Sequence, residues 1–144
     1  MTHKKSTGFT IIEVLIVLAI AGLIMLVIFL AVPALQRNSR NNARNNDASR
    51  VLAATQECLN SKNAVTSACT PTIIEDLAGT LSTLESVSTS DTAAQYSINE
   101  ARVWFGSNCD TAGTMASGGV SSTAFTITYA LEPEGSPVNR CVGR

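Results

Sequence analysis

The dominant pattern in this chain is a long stretch with no polar break. From Val14 to Leu35, twenty-two residues pass without a charged side chain, and Ile11 and Ile12 extend the apolar surface upstream. As a helix the run is about 33 Å long, enough to span the hydrocarbon core of a bilayer. The pattern then changes abruptly. Gln36 to Asp47 is almost wholly polar and contains five asparagines, which are weak helix formers. Yet no Gly or Pro interrupts Gln36 to Asn60, and Val51, Leu52, Thr55 and Leu59 recur along one helical edge. The spacing predicts a helix that continues to about residue 60, with a polar stretch that is stable only where neighbours support it. Inside the apolar run, Gly22 and Pro33 mark irregular points. Proline removes a backbone donor and crowds the preceding turn, so a bend is expected near Phe29 to Pro33.

The rest of the chain predicts a small mixed-structure head. Pro71 followed by Ile73, Ile74, Leu77, Leu81 and Leu84 reads as a short amphipathic helix. Strand signals follow at Tyr96 and Ile98, at Val103 to Phe105, and in alternation at Phe125, Ile127, Tyr129 and Leu131. Gly113 to Ser122 is small and Gly-rich, as expected of an exposed loop. Trp104, Phe105, Phe125 and Tyr129 are the expected core between sheet and helix. The fold class is α+β, with a long N-terminal helix packed on a small antiparallel β-sheet. No internal repeat is present.

One charge sits at the mouth of the apolar run. A carboxylate at the buried end of a membrane helix is expensive, on the order of 2.5–3.5 kcal/mol at the bilayer centre and less near the interface. Glu13 is such a residue, and a chain that retains it has a use for it, the best being to meet a complementary charge on a neighbour. The bland use of a first-turn Glu is to complement the helix dipole. What precedes it is a short basic leader, Met1-Thr2-His3-Lys4-Lys5-Ser6-Thr7-Gly8, and then Phe9-Thr10-Ile11-Ile12-Glu13.

The segment from Lys4 to Gly22 resembles the start of a type IV prepilin, in which a basic leader ends in Gly, Phe follows, and Glu lies four residues further on. The resemblance implies cleavage between Gly8 and Phe9 by a membrane-embedded prepilin peptidase, in whose active site a side chain at Gly8 would obstruct the backbone. It implies N-methylation of the freed Phe9 amine, and pairing of that cation with Glu13 of an adjacent subunit. In relatives a glycine and a proline bracket a stretch that loosens on assembly; Gly22 falls where the family has its glycine, and Pro33 lies three residues later than usual. The domain plan is a cleaved leader at 1–8, a transmembrane or filament-core helix at 9–35, and an extracytoplasmic head at 36–144. The implied partners are identical subunits in a helical filament, the peptidase, the assembly machinery, and the membrane before assembly. The short leader and Phe9 favour a pilus subunit, first a single-pass protein of the cytoplasmic membrane and then part of an extracellular filament. A pseudopilin or minor pilin of a secretion or DNA-uptake system is the alternative, and a membrane-anchored binding module that never polymerises is the competitor from another class.

Composition adds bounds. The formal charge is −1, and removing Lys4 and Lys5 leaves eight basic against eleven acidic side chains, a formal −3. That weak acidity argues against a general nucleic-acid binder. Arg37, Arg40 and Arg44 share one helical face and could meet acidic neighbours, lipid phosphates or DNA, but a solvated face is the expected account. The same arginines make positive charge an unreliable guide to orientation: taken alone, they lean against a cytoplasmic N-terminus. An ordinary secretory signal has an apolar core of about 7–15 residues, shorter than this one.

Cys58, Cys69, Cys109 and Cys141 all follow the apolar run, with no CxxC and no histidine near them. They read as disulfides in an oxidising compartment rather than as a metal site. Three connectivities are open, and the resemblance favours Cys109 with Cys141 as the closure of a C-terminal loop. The single histidine, His3, belongs to the leader, and no nucleophile elbow or phosphate loop is present. Neither catalytic residues nor a cofactor is expected.

Overall fold

The computed structural model describes residues 8–89, 97–110, 115–116, 123–132 and 138–143. The leader residues 1–7, the strand signal at Tyr96, and the loop expected at Gly113 to Ser122, apart from its residues 115–116, lie outside the described residues.

A single helix, α1, runs from Ile11 to Ser61 and is continuous through Gly22 and Pro33. Pro33 has no N–H to give the carbonyl of Phe29, so the ladder lacks one bond there. Contacts divide the chain into two compact units, Met1–Gln36 and Arg37–Arg144. In the first, every described side chain is exposed. In the second, α1 buries Arg44, Asp47, Ala48, Val51, Ala54, Thr55, Cys58 and Leu59. The apolar edge expected at Val51, Thr55 and Leu59 is therefore present, and two alanines and a cysteine widen it.

The helix ends in a tight reversal. The Lys62 N–H donates to the Cys58 carbonyl at 2.9 Å and the Ala64 N–H to the Leu59 carbonyl at 2.7 Å. This geometry puts Asn63 at φ 51° and Ala64 at φ 64°. Asparagine tolerates the left-handed region; alanine does not without cost. A 3₁₀ turn at Thr66–Ala68 leads to α2, Pro71–Ala78, which opens on proline at its first position and stops at Gly79, φ 69°. The helix expected to reach Leu84 thus ends earlier, because the chain turns left-handed at a residue free to do so.

Among the described residues six strands follow: β1 Ser86–Ser88, β2 Glu100–Phe105, β3 Asn108–Cys109, β4 Met115–Ala116, β5 Phe125–Leu131 and β6 Val138–Gly143. The main sheet has the order β1-β2-β5-β6, and β3 pairs with β4 in a separate two-stranded ribbon. β5 lies antiparallel to both β2 and β6, with Val103 opposite Ile127 and Tyr129 opposite Arg140. β1 pairs with β2 in parallel, so the sheet is mixed rather than purely antiparallel. The ribbon puts strand at 115–116, where a loop was expected.

The core lies between α1, α2 and one face of the sheet. Val51, Cys58, Ile74, Val87, Val103, Phe125, Ile127 and Tyr129 are among its buried members, with Phe105 packed at its margin. Trp104 is a correction. It is buried, but its neighbours Val103 and Phe105 face the core cluster, and alternation along a strand turns it to the opposite face. There its indole N–H donates to Thr128 Oγ1 at 2.9 Å, beside a Ser107–Thr126 hydroxyl pair at 2.8 Å.

The cysteines form the most local of the three possible pairings. Cys58 joins Cys69 across the α1–α2 connection, and Cys109 joins Cys141, tying β3 to β6; the Cα separations are 5.9 and 5.6 Å. Replacing Ala64 with glycine is expected to raise stability by about 0.5–1 kcal/mol, because the left-handed backbone then carries no Cβ. Denaturant midpoints of the oxidised protein measure this, and an unchanged or lower midpoint would show that Ala64 is unstrained.

Candidate functional site

Two regions of α1 carry the functional chemistry, and each is best described by itself. The first is the start of the helix. Gly8 and Phe9 precede it, and Phe9 is 89% exposed. A Cβ added at Gly8 or at Gly22 would meet nothing within 4 Å. The chain's own packing therefore does not require glycine at either position.

Thr10 is the residue ahead of the first helical turn, and it forms a reciprocal cap with Glu13. The Thr10 N–H donates to Glu13 Oε2 at 2.8 Å, its hydroxyl donates to the same oxygen at 2.6 Å, and the Glu13 N–H approaches Thr10 Oγ1 at 3.4 Å. This is a capping box, in which side chains three residues apart satisfy backbone donors the helix leaves open. The Thr-x-x-Glu spacing is legible in the sequence as a helix start. The structure thus gives Glu13 a local partner in addition to any charge it meets elsewhere. Beyond it, all the large apolar side chains from Val14 to Leu35 are exposed, Phe29 and Leu30 by about three-quarters. By length and composition α1 is able to cross a membrane. An apolar surface this long needs lipid or protein around it.

The second region is the polar stretch, which is not the solvated face expected of its arginines. Glu132, just past β5, takes Arg40 on one carboxylate oxygen, Nη2 to Oε2 at 2.6 Å, and Arg44 on the other, Nη1 to Oε1 at 2.7 Å. The Arg44 contact is a charge contact rather than a directed hydrogen bond; its Nε donates instead to the Ile98 carbonyl at 3.2 Å. Arg44 is only 3% exposed, so its charge is neutralised inside the head. Asn41 pairs with the backbone of Glu132 itself, accepting from its N–H at 2.8 Å and donating to its carbonyl at 2.9 Å. Tyr129 donates its hydroxyl to Asn45 Oδ1 at 2.7 Å.

One turn further along, α1 shapes the loop after α2. Asp47, 2% exposed, accepts from the backbone N–H groups of Ser82, Thr83 and Leu84 and from the Thr83 hydroxyl. Arg50 donates to the carbonyls of Ala78 and Thr80. An acidic and a basic side chain thus satisfy the two kinds of backbone group in one loop. Burial pushes the Asp47 carboxyl up, but the hydrogen bonds from Ser82, Thr83 and Leu84 outweigh it and the net shift is downward. The hydrogen bond from Arg40, and then the close Arg44 guanidinium, hold the Glu132 carboxyl down at about 2. Asn41, Asp47 and Glu132 were not distinguished as sites by the sequence, since their partners lie up to 92 residues away.

Residues 3–29 match the family described as the prokaryotic N-terminal methylation motif. This is the leader signature of type IV prepilins. No curated protein and no solved structure shows a significant match to the chain. The motif indicates a type IV pilin-like prepilin and points to a structural subunit rather than an enzyme. It implies peptidase processing and assembly with pilin subunits in general, and with the apolar half of α1 it fits insertion in a membrane before assembly. The α+β head, with a long helix on a small sheet, is pilin-like in architecture. Among the described residues, no group of three or more His, Cys, Asp or Glu side chains is placed to hold a metal.

The depressed Glu132 carboxyl makes an acid-stability prediction. A carboxylate whose folded pKa lies below its ordinary value, 4.5, contributes stability that is complete above that value and lost as pH falls through about 2. Glu132→Gln is expected to lower stability at pH 7 and to flatten its dependence on pH between about 4.5 and 2. Urea unfolding of the detergent-solubilised chain, followed by circular dichroism across that range, measures it. A slope equal to the parent's would mean that Glu132 titrates alike in folded and unfolded chains.

Proposed function

We propose that the chain is a structural subunit of a type IV pilus, cleaved between Gly8 and Phe9 and polymerised through the N-terminal part of α1. The observation that carries this reading is the joint presence, in one segment, of the methylation motif and an exposed apolar helix with a single carboxylate at its start. On this reading residues 1–8 are the leader, 9–35 the membrane-spanning and later filament-core helix, and 36–144 the extracytoplasmic head. The peptidase reads Gly8 as a residue that allows close backbone approach, which accounts for a glycine that internal packing does not need. Cleavage removes Lys4 and Lys5 and frees the Phe9 amine, which is then N-methylated. That cation meets Glu13 of a neighbouring subunit in a water-poor interior.

The capping box gives this pairing a specific form. Glu13 is already held by Thr10 through Oε2, so its carboxylate arrives oriented, with a second oxygen for the neighbour's amine. Attraction between such charges is strong at low dielectric, and desolvation of both ions offsets much of it. The net effect is therefore chiefly one of register: one carboxylate per subunit fixes how far each helix slides along the next.

Substitution separates charge from capping. Glutamine at the same place can also complete a capping box. Glu13→Gln and Glu13→Ala are both expected to insert in the membrane and to abolish filaments seen by electron microscopy. If Glu13→Gln assembles like the parent, the helix cap is the role of Glu13 and the charge-pair account fails. Intact mass and N-terminal peptide mapping of the native protein test the processing step. A chain beginning at N-methylated Phe9 is expected; one retaining Met1 would leave a single-pass anchor. Surface fibres lost on deletion identify a pilus subunit, whereas loss of secretion with fibres unaffected identifies a pseudopilin.

A further inference from the structure

We propose that Cys109–Cys141 is a thiol-exchange site, and that residues 107–109 form a strap over the outer face of the sheet, which a small thiol releases while the rest of the head stays folded. Burial separates the two disulfides. Cys58 and Cys69 are 0% and 2% exposed, whereas Cys109 and Cys141 are both half-buried. Exchange begins when a thiolate reaches a disulfide sulfur, so access decides which bond reacts.

Topology makes the accessible bond the clasp of a separate piece. β2 ends at Phe105, and Gly106, at φ 71°, turns the chain out of the main sheet. The Gly106 N–H donates to the Ala124 carbonyl at 2.7 Å, which fixes the point of departure. The Ser107 hydroxyl then meets that of Thr126 at 2.8 Å and donates to the Trp104 carbonyl at 3.1 Å. Two residues on, Cys109 is joined to Cys141. Thr126 alternates with the core residues Phe125 and Ile127, and Cys141 stands opposite Thr128. Both fastenings therefore lie on the face turned away from the core. The strap crosses β5 and ends on β6, with Trp104, Thr126 and Thr128 buried on the same face.

The chemistry of that face suits reversible opening. Apart from the Trp104 ring, the strap meets hydroxyls, and water can satisfy those when it lifts. The core face buries aliphatic and aromatic side chains, for which water is no substitute. β6 has its own hold on the sheet, a ladder to β5 running from Val138 opposite Leu131 to Gly143 opposite Thr126. The strap's pairing is with β4, in the separate ribbon. The electron balance is that of ordinary exchange. A thiolate attacks one sulfur, forms a mixed disulfide and expels the other cysteine as a thiolate, which takes up a proton. A second thiol displaces the first, leaving Cys109 and Cys141 as thiols and the reagent as its own disulfide. That external disulfide is the oxidant that closes the clasp again. The inference stands apart from the reading of the chain as a pilus subunit.

The full chain in detergent micelles, titrated with reduced glutathione and trapped with iodoacetamide, tests this. Peptide mapping is expected to show Cys109 and Cys141 alkylated about tenfold faster than Cys58 and Cys69, in step with access. Trp104 is the only tryptophan, so its fluorescence reports on the strap. Its emission should move to the red and become open to acrylamide quenching, while far-ultraviolet circular dichroism keeps the helix signal. Oxidised glutathione should restore the original emission. Cys109→Ser combined with Cys141→Ser should show the red-shifted emission without thiol and no further response to it. Equal labelling of the two pairs overturns the exchange site. Selective labelling with an unmoved Trp104 emission overturns the strap as a cover. Loss of helix signal on reduction would show a head that opens as one unit, and that also overturns the proposal.

Discussion

The constraint on which the rest of the molecule depends is that one helix must satisfy two different surroundings. Up to Leu35 its side chains are exposed and, Glu13 apart, apolar; from Gln36 onward they are polar at first and then half-buried. A helix accepts both conditions because its backbone bonds are internal, which is the requirement for any segment that spends part of its life in hydrocarbon. What changes along it is the source of support. In the first part, lipid or other subunits must supply it; in the second, Glu132, Tyr129 and the core residues Val51, Cys58 and Ile74 do so within the chain. The asparagine-rich stretch is where the two kinds of support meet.

The head is organised around α1 more than around its sheet. Asp47 and Arg50 between them specify the path of residues 78–84, which have no regular structure beyond the end of α2. Glu75 of α2 adds a carboxylate oxygen that accepts the Val87 N–H of β1 at 2.7 Å, so even the short edge strand is held by a side chain from a helix. The loop's backbone N–H and C=O groups are thus matched by side chains, as their desolvation requires. The apolar core is modest, and these pairings decide which of its packings is adopted.

How far the sequence revealed this depends on the distance over which each signal acts. The long helix, β5 and the core-facing residues Phe125, Ile127 and Tyr129 were legible because periodicity is local. The side taken by Trp104 was also legible: neighbours in a strand face opposite ways, and grouping it with Phe105 ignored that rule. The Thr10–Glu13 cap was likewise readable from its spacing. β1 and β6 were not, since Ser86-Val87-Ser88 is too short and Val138 to Gly143 lacks the apolar alternation of an obvious strand. The fate of Arg40 and Arg44 depends on a glutamate about ninety residues away, and no pattern around them encodes it.

The two disulfides differ in what must happen before each can close. Cys58 and Cys69 are 11 residues apart, at the ends of a single helix-to-helix connection, so a short excursion of the chain brings them together. Cys109 and Cys141 are 32 apart, and the strand that carries Cys141 reaches its place only beside β5, where Cys141 stands opposite Thr128. The first bond records the end of a helix; the second records a finished sheet. Wherever the head folds amid oxidants, the 58–69 link can therefore form while it is only partly built. Native closure of 109–141 is a certificate that the last strand has been laid down in register.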